Sequence, residues 1–204
     1  MLLTGIASAG EAAQALSRQA LQHCEDGRAA TVRDTRLAFF EQGQALGEQA
    51  VAADEHSADA HFALFCNLGE LLRLDGESLT SVFGLRRMMK ELDRVLEIDP
   101  AHIDALSAKG TLLVKLPGLL GGDSEKGEQL LQYVIKRAPK AVNARLALAK
   151  VRCERGSHLE AAALASDALA IAKKDGRITF AREATTVLRH AQTHAAKTVY
   201  AVNR

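Results

Sequence analysis

Tryptophan is absent from this sequence, proline occurs 3 times in 204 residues, and aromatic side chains make up 4% of the chain. Alanine is abundant, and an Ala-rich, Pro-poor chain favours helix over sheet because Ala loses no side-chain entropy in a helix. No run of strand-like apolar–polar alternation interrupts the helical periodicity. Charge of one sign is also lacking: 26 Lys and Arg face 25 Asp and Glu, with a sequence pI of about 7.8. The basic residues are spread over several segments without interleaved aromatics, which argues against nucleic acid as a partner. With 48% hydrophobic and 25% charged residues, the chain reads as folded, neither disordered nor membrane-spanning.

Cysteine is scarce too. Cys24, Cys66 and Cys153 cannot all pair, and no two have metal-ligand spacing. Cys66 lies in an apolar run and is expected to be a small buried hydrophobe. No disulfide framework is expected, and the redox compartment stays open.

The even charge balance conceals a polarity. Residues 1–102 hold 9 Lys and Arg against 16 Asp and Glu, a balance of −7; residues 103–204 hold 17 against 9, a balance of +8. Such a molecule can stack head to tail as a homo-oligomer or offer its basic end to an acidic partner or lipid, or the asymmetry is only solvated surface charge.

Helices are expected near 10–25, 33–53, 58–73, 79–98, 101–116, 124–138, 141–155, 158–174 and 177–199. The joints between them carry turn residues: Asp75-Gly76, Asp99-Pro100, residues 116–123, Ala138-Pro139, Gly156 and Asp175-Gly176. About nine helices with short joints imply antiparallel hairpins. The hairpins repeat. Phe65-x-x-Leu68-Gly69-x-x-Leu72 is echoed at Leu106-x-x-Lys109-Gly110-x-x-Leu113 and at Arg145-x-x-Leu148-Ala149-x-x-Arg152. The small residues Gly69, Gly110 and Ala149 are 41 and 39 positions apart, and each is expected to let a second helix approach closely.

On these motifs the chain resembles the tetratricopeptide-repeat (TPR) proteins. The best copy runs from Val142 to Asp175, with Leu148, Ala149, Gly156, Ala161 and Ala168 in the expected places and Arg145, Arg152, Ala165 and Lys173 as departures. The resemblance implies an all-α fold of stacked antiparallel hairpins in a right-handed superhelix. Residues 33–175 would form the hairpins, 10–32 an N-terminal cap and 177–199 a capping helix, in one domain. Residues 1–9 would be disordered or the remnant of an export signal, with Ile6 where a lipoprotein would carry its lipidated Cys.

The joint Leu116-Pro117-Gly118-Leu119-Leu120-Gly121-Gly122 is similar to the turn of TatT-type proteins, the T-components of TRAP transporters in bacterial envelopes. That likeness implies a periplasmic or envelope-associated accessory of a transport system, binding an apolar or amphipathic ligand (a lipid, sterol or fatty acid) or a solute-binding partner. The alternative is a cytoplasmic scaffold that binds proteins through TPR hairpins.

No catalytic chemistry is legible. The Gly-rich joint fails as a phosphate loop, because Glu128 follows Gly127 where a Lys must stand. Asp123 instead reads as the N-cap of the next helix, with Leu119 and Leu120 plugging into the core. His190 and His194 lie i,i+4 but lack a third ligand, so no metal or cofactor is expected. His56, Asp59 and His61 surround a helix start, where Asp59 is expected to cap. Phe39, Phe40, Phe62, Phe65 and Phe83, with Met88 and Met89, fall on three helices of the first half. They are either the core of the first hairpins or a pocket for an apolar ligand, with His61 and Asn67 as its polar hooks.

Overall fold

In a computed structural model the described residues are 3–74 and 82–202, with side chains described for residues 10–74 and 82–196. Among them the chain is all-α, with nine α-helices and no strand: α1 (Leu3–Ala29), α2 (Arg33–Ala53), α3 (Ala58–Leu74), α4 (Val82–Ile98), α5 (Ile103–Lys115), α6 (Ser124–Arg137), α7 (Val142–Glu154), α8 (His158–Lys174) and α9 (Ile178–Val202). The expected boundaries hold to within a few residues, except that α1 begins at Leu3, ahead of the expected start near residue 10. The Asp75-Gly76 joint and the expected start at residue 79 lie outside the described residues.

Contacts divide the chain into two compact units, residues 1–102 and 103–204. The net charges of −7 and +8 therefore belong to separate units.

In the first unit α1 packs against both α2 and α3, α2 against α3, and α3 against α4. Its core gathers Ala13, Ala20 and Cys24 of α1, Phe40 and Ala50 of α2, Ala63, Leu64 and Leu68 of α3, and Met88, Leu92 and Val95 of α4. Small residues line α1 and α2 in this core, and Phe40 and Leu92 are its largest fully buried side chains.

Here the structure corrects the cysteine reading. Cys24 and Cys66 form a disulfide that joins α1 to α3 across 42 positions, with Cα atoms 6.3 Å apart. One turn earlier on α1, the Asn67 amide donates to the Ala20 carbonyl at 2.9 Å; one turn later, Arg28 Nε donates to Glu70 Oε1 at 2.8 Å. A hydrogen bond, a covalent bond and an ion pair thus tie the same two helix faces at successive turns. Cys66 is buried, as expected, but as half of a crosslink.

In the second unit α7 is the axis. Val142, Leu146 and Ala149 face Ala165, Ala168 and Ala172 of α8 and Ala184 and Val187 of α9. Ala144, Ala147 and Leu148 face Leu131 and Val134 of α6. These two sets sit on different sides of one 3.6-residue helix, so α7 is buried nearly all round. Gly110 and Gly127 mark the closest approach of α5 and α6. A Cβ at Gly110 would lie 2.9 Å from Leu131 Cγ and 3.2 Å from the Gly127 carbonyl oxygen, so the small residue is required there.

The joints follow their sequence chemistry. Gly156 and Gly176 take φ of 77° and 67° just past α7 and α8, ending each helix in the left-handed conformation. Asp123 caps α6 by accepting from the Lys126 N–H at 3.1 Å, and this bond with its backbone and side-chain partner Lys126 holds its carboxyl below the usual range. The expected plug is overturned: Leu119 is 100% exposed and Leu120 39% exposed. The inner side of that turn is filled by backbone. Gly122 N–H donates to Pro117 O at 3.1 Å and Asp123 N–H to Leu113 O at 2.8 Å, and Gly122 sits directly on the Leu116 carbonyl. The 3₁₀ turn Gly118–Leu120 can only point its leucines outward.

Candidate functional site

The aromatic residues of the first unit are not gathered in one place. Phe40 is fully buried between α2 and α1, its ring filling the space where Gly27 has no side chain. Phe39, half-buried beside it, meets the His23 ring at 5.8 Å. Phe62 and Phe65 lie on α3, stacked at 5.8 Å, and Phe62 also touches the His102 ring at 4.8 Å. Phe83, on the first turn of α4, is 81% exposed. Met88 is buried and is the nearest group to Gly69, with its sulfur 3.3 Å from where a Cβ would stand, whereas Met89 is half-buried. The convergence of three helices expected from sequence is therefore replaced by three separate settings. Among the described residues the half-buried Phe62–Phe65 pair stacks beside the His102 ring.

The two expected hooks are engaged inside the fold. Asn67 is fully buried and donates to Ala20 O and Ala63 O, both at 2.9 Å, while its Oδ1 rests against Gly43 with no hydrogen-bond donor. His61 is buried with Nδ1 2.6 Å from Glu91 Oε2 and Nε2 3.0 Å from the Glu55 carbonyl. Both neighbours are acceptors, so both contacts are full hydrogen bonds only when the ring carries two protons. That ring joins α3 to α4 and to the joint before α3. The cap of α3 is also reassigned: Ser57 Oγ accepts from the Ala60 N–H at 3.2 Å, and Asp59 stands 3.9 Å from His102 instead.

Two polar constellations lay beyond the sequence reading. In the second unit Glu128 is buried with Arg152 Nη1 at 2.5 Å from its Oε2, and Arg152 Nε reaches Glu160 Oε1 at 3.0 Å. Arg155 approaches the other Glu128 oxygen at 2.5 Å, an ion pair without hydrogen-bond alignment. Arg152 occupies a position where a TPR unit prefers an aromatic, and this network of α6, α7 and α8 is what stands in its place. Arg145, the other departure, is buried and donates to Ala141 O at 3.2 Å.

The second constellation is a third histidine. His158 of α8 meets His194 at 5.2 Å between ring centroids, and His190 meets His194 at 4.1 Å. The rings pack against one another, and His194 Nδ1 lies 2.9 Å from the His190 carbonyl. Among the described residues no group of three or more His, Cys, Asp or Glu could hold a metal ion. Only the i,i+4 spacing was visible beforehand; His158 arrives through the α8–α9 hairpin.

Among the described residues no helix is long and apolar enough to cross a membrane. Cys153 is a free thiol, partly buried, and burial, with the nearby Glu154 carboxylate, pushes it up from its ordinary value.

No protein-family model matches the sequence, and no curated protein matches it. Among solved structures the fold is similar to that of the MamA RS-1 ArsTM double mutant, a TPR-like helical protein, with a TM-score of 0.50 at 13% identity over 93% of this chain and 96% of that one. The likeness supports a TPR-like helical fold.

Proposed function

We propose that this chain is a non-enzymatic interaction scaffold of an oxidising, envelope compartment, working as an accessory of a transport system. The observation that carries it is the pair of stacked-hairpin units, in which the chemistry-bearing side chains named above, His61, Asn67, Glu128 and Arg152, are spent on joining helices. Such folds offer faces rather than reaction centres. The compartment rests on the Cys24–Cys66 bond, because disulfides persist where thiols are not continually reduced. The same bond speaks against the cytoplasmic alternative. The transport role rests on the Leu-Pro-x-x-Leu-Gly-Gly likeness alone.

Trapping thiols in intact cells and resolving the compartments tests the first part. A chain with Cys24 and Cys66 oxidised in the envelope fraction is expected; a fully reduced, cytoplasmic chain would overturn the placement. In-cell crosslinking should recover one protein partner in defined stoichiometry, encoded with or acting in transport.

A lipid-binding reading is favoured by one feature, the half-buried Phe62–Phe65 pair beside His102. Titrating the delipidated protein with fatty acids and sterols decides it. Saturable binding with a negative heat-capacity change, weakened by Phe65→Ala, is the supporting result. No binding leaves the scaffold alone.

A further inference from the structure

The last hairpin carries a notch at the turn between α8 and α9. Gly176, at a φ of 67°, lets the Arg177 N–H return to the Ala172 carbonyl at 2.8 Å, which lays the first turn of α9 against the last turn of α8. Ala172 and Ala181 are too small to fill the angle, and a cleft of about 310 Å³ remains. Ile178, 67% exposed, forms an apolar wall, with Thr185 at the far end. Lys173 and Arg182 stand on its two sides.

The charges here are unbalanced. Among the described residues neither Lys173 nor Arg182 is paired with a carboxylate. Glu183, next to Arg182 in sequence, is taken by Lys150 at 2.5 Å. Arg177 lies over the Phe180 ring at 4.1 Å, and Asp175 is the one carboxylate in the turn. The C-terminus of α8 and the N-terminus of α9 meet here, so their opposite partial charges offset and the side chains set the local sign. The unit as a whole has an excess of 8 positive charges by sequence count.

We propose that this notch is the docking site for an acidic, aliphatic peptide segment of a protein partner. The proposal rests on the scaffold reading and names the surface that performs it. An aliphatic side chain would cover Ile178 and the part-exposed Ala181, and flanking carboxylates would meet Lys173 and Arg182. A peptide suits the site better than a lipid tail, because the apolar wall is short and cations stand on both of its sides.

The test uses the full chain and three probes: a fluorescein-labelled peptide of Glu and Leu, its Lys and Leu counterpart, and decanoate. Anisotropy should show saturable binding of the Glu–Leu peptide and none of the Lys–Leu peptide. Lys173→Ala with Arg182→Ala should weaken it by about fivefold to tenfold, as expected for two exposed charge pairs. Lys136→Ala with Arg137→Ala removes the same charge from the exposed end of α6 and should change affinity by less than about twofold. Equal weakening in both double variants would mean that net charge alone attracts the peptide, and the notch would be discarded. Decanoate binding that Ile178→Asp abolishes, with no peptide binding, would make the occupant a lipid and overturn the assignment. If no probe binds while crosslinking in cells still finds a partner, the notch is wrong and the scaffold reading stands.

Discussion

Reduction of the Cys24–Cys66 bond is the perturbation with the clearest expected size. The bond closes a loop of 42 positions. Chain entropy lost by the unfolded state then amounts to about 13 cal/mol/K, or about 4 kcal/mol at 25 °C. Reduced thiols keep nearly the same volume, and both cysteines are buried, so reduction should leave packing almost intact and act chiefly through the unfolded chain. Cys24→Ala with Cys66→Ala is the genetic equivalent; serine would add the cost of burying hydroxyls. The assay is hydrogen exchange followed by mass spectrometry, with and without reductant. Amides of α1 and α3 should lose protection by about a thousandfold where they exchange through unfolding of the first unit. Amides of α7 and α8, in the other unit, should not change. Equal loss in both units would contradict the division of the chain. A loss below about tenfold in α1 and α3 would mean that the bond constrains little, and the entropic reasoning would fail.

Replacing Gly110 by Leu should cost about 1–3 kcal/mol by overpacking against Leu131 and the Gly127 carbonyl, despite the better helix propensity of Leu; an unchanged melting temperature would refute that close approach. Phe40→Ala should cost about 3–5 kcal/mol in urea unfolding, since its ring is fully buried, whereas Phe83→Ala should lie within about 0.5 kcal/mol of the parent. Glu48, held below the usual carboxylate range first by the Gln44 amide and then by Arg87, supplies a pH test. A depressed carboxylate stabilises above its unfolded-state value and loses that contribution as pH falls through its folded value. The gap between parent and Glu48→Gln should therefore be present at neutral pH and close under acid. With 44% of the side chain exposed, the gap should stay below about 1 kcal/mol and shrink in salt.

The helices and most joints were legible because they depend on local chemistry. Gly156 and Gly176 stop helices by adopting a conformation that few other residues take, and Asp123 caps the helix that follows it. Gly110 was legible as a place of close approach because small residues recur at matching points of the hairpins. The disulfide was not, since its existence depends on α1 packing directly on α3 so that residues 20, 24 and 28 meet 67, 66 and 70. Nothing in the distance between Cys24 and Cys66 encodes that register. Apolar character alone places Leu119 and Leu120 in the core, whereas backbone hydrogen bonds fill the inner side of the turn and leave them outside. The Phe group suffered the same way. Each helix turns its Phe to a different setting: Phe39 and Phe40 of α2 face α1, Phe62 of α3 meets His102, and Phe83 of α4 is exposed.

The bond between α1 and α3 also decides how the chain transmits force. All of α2 lies inside the covalent loop, so tension applied at the two termini passes from residue 24 to residue 66 without loading α2. Stretched in an optical trap, the oxidised chain should fall short of the reduced one by about 150 Å of contour, at roughly 3.6 Å per shielded residue. A pore that admits one extended strand would meet a doubled strand at that loop. Any passage of this chain through such a pore would have to precede closure of the bond.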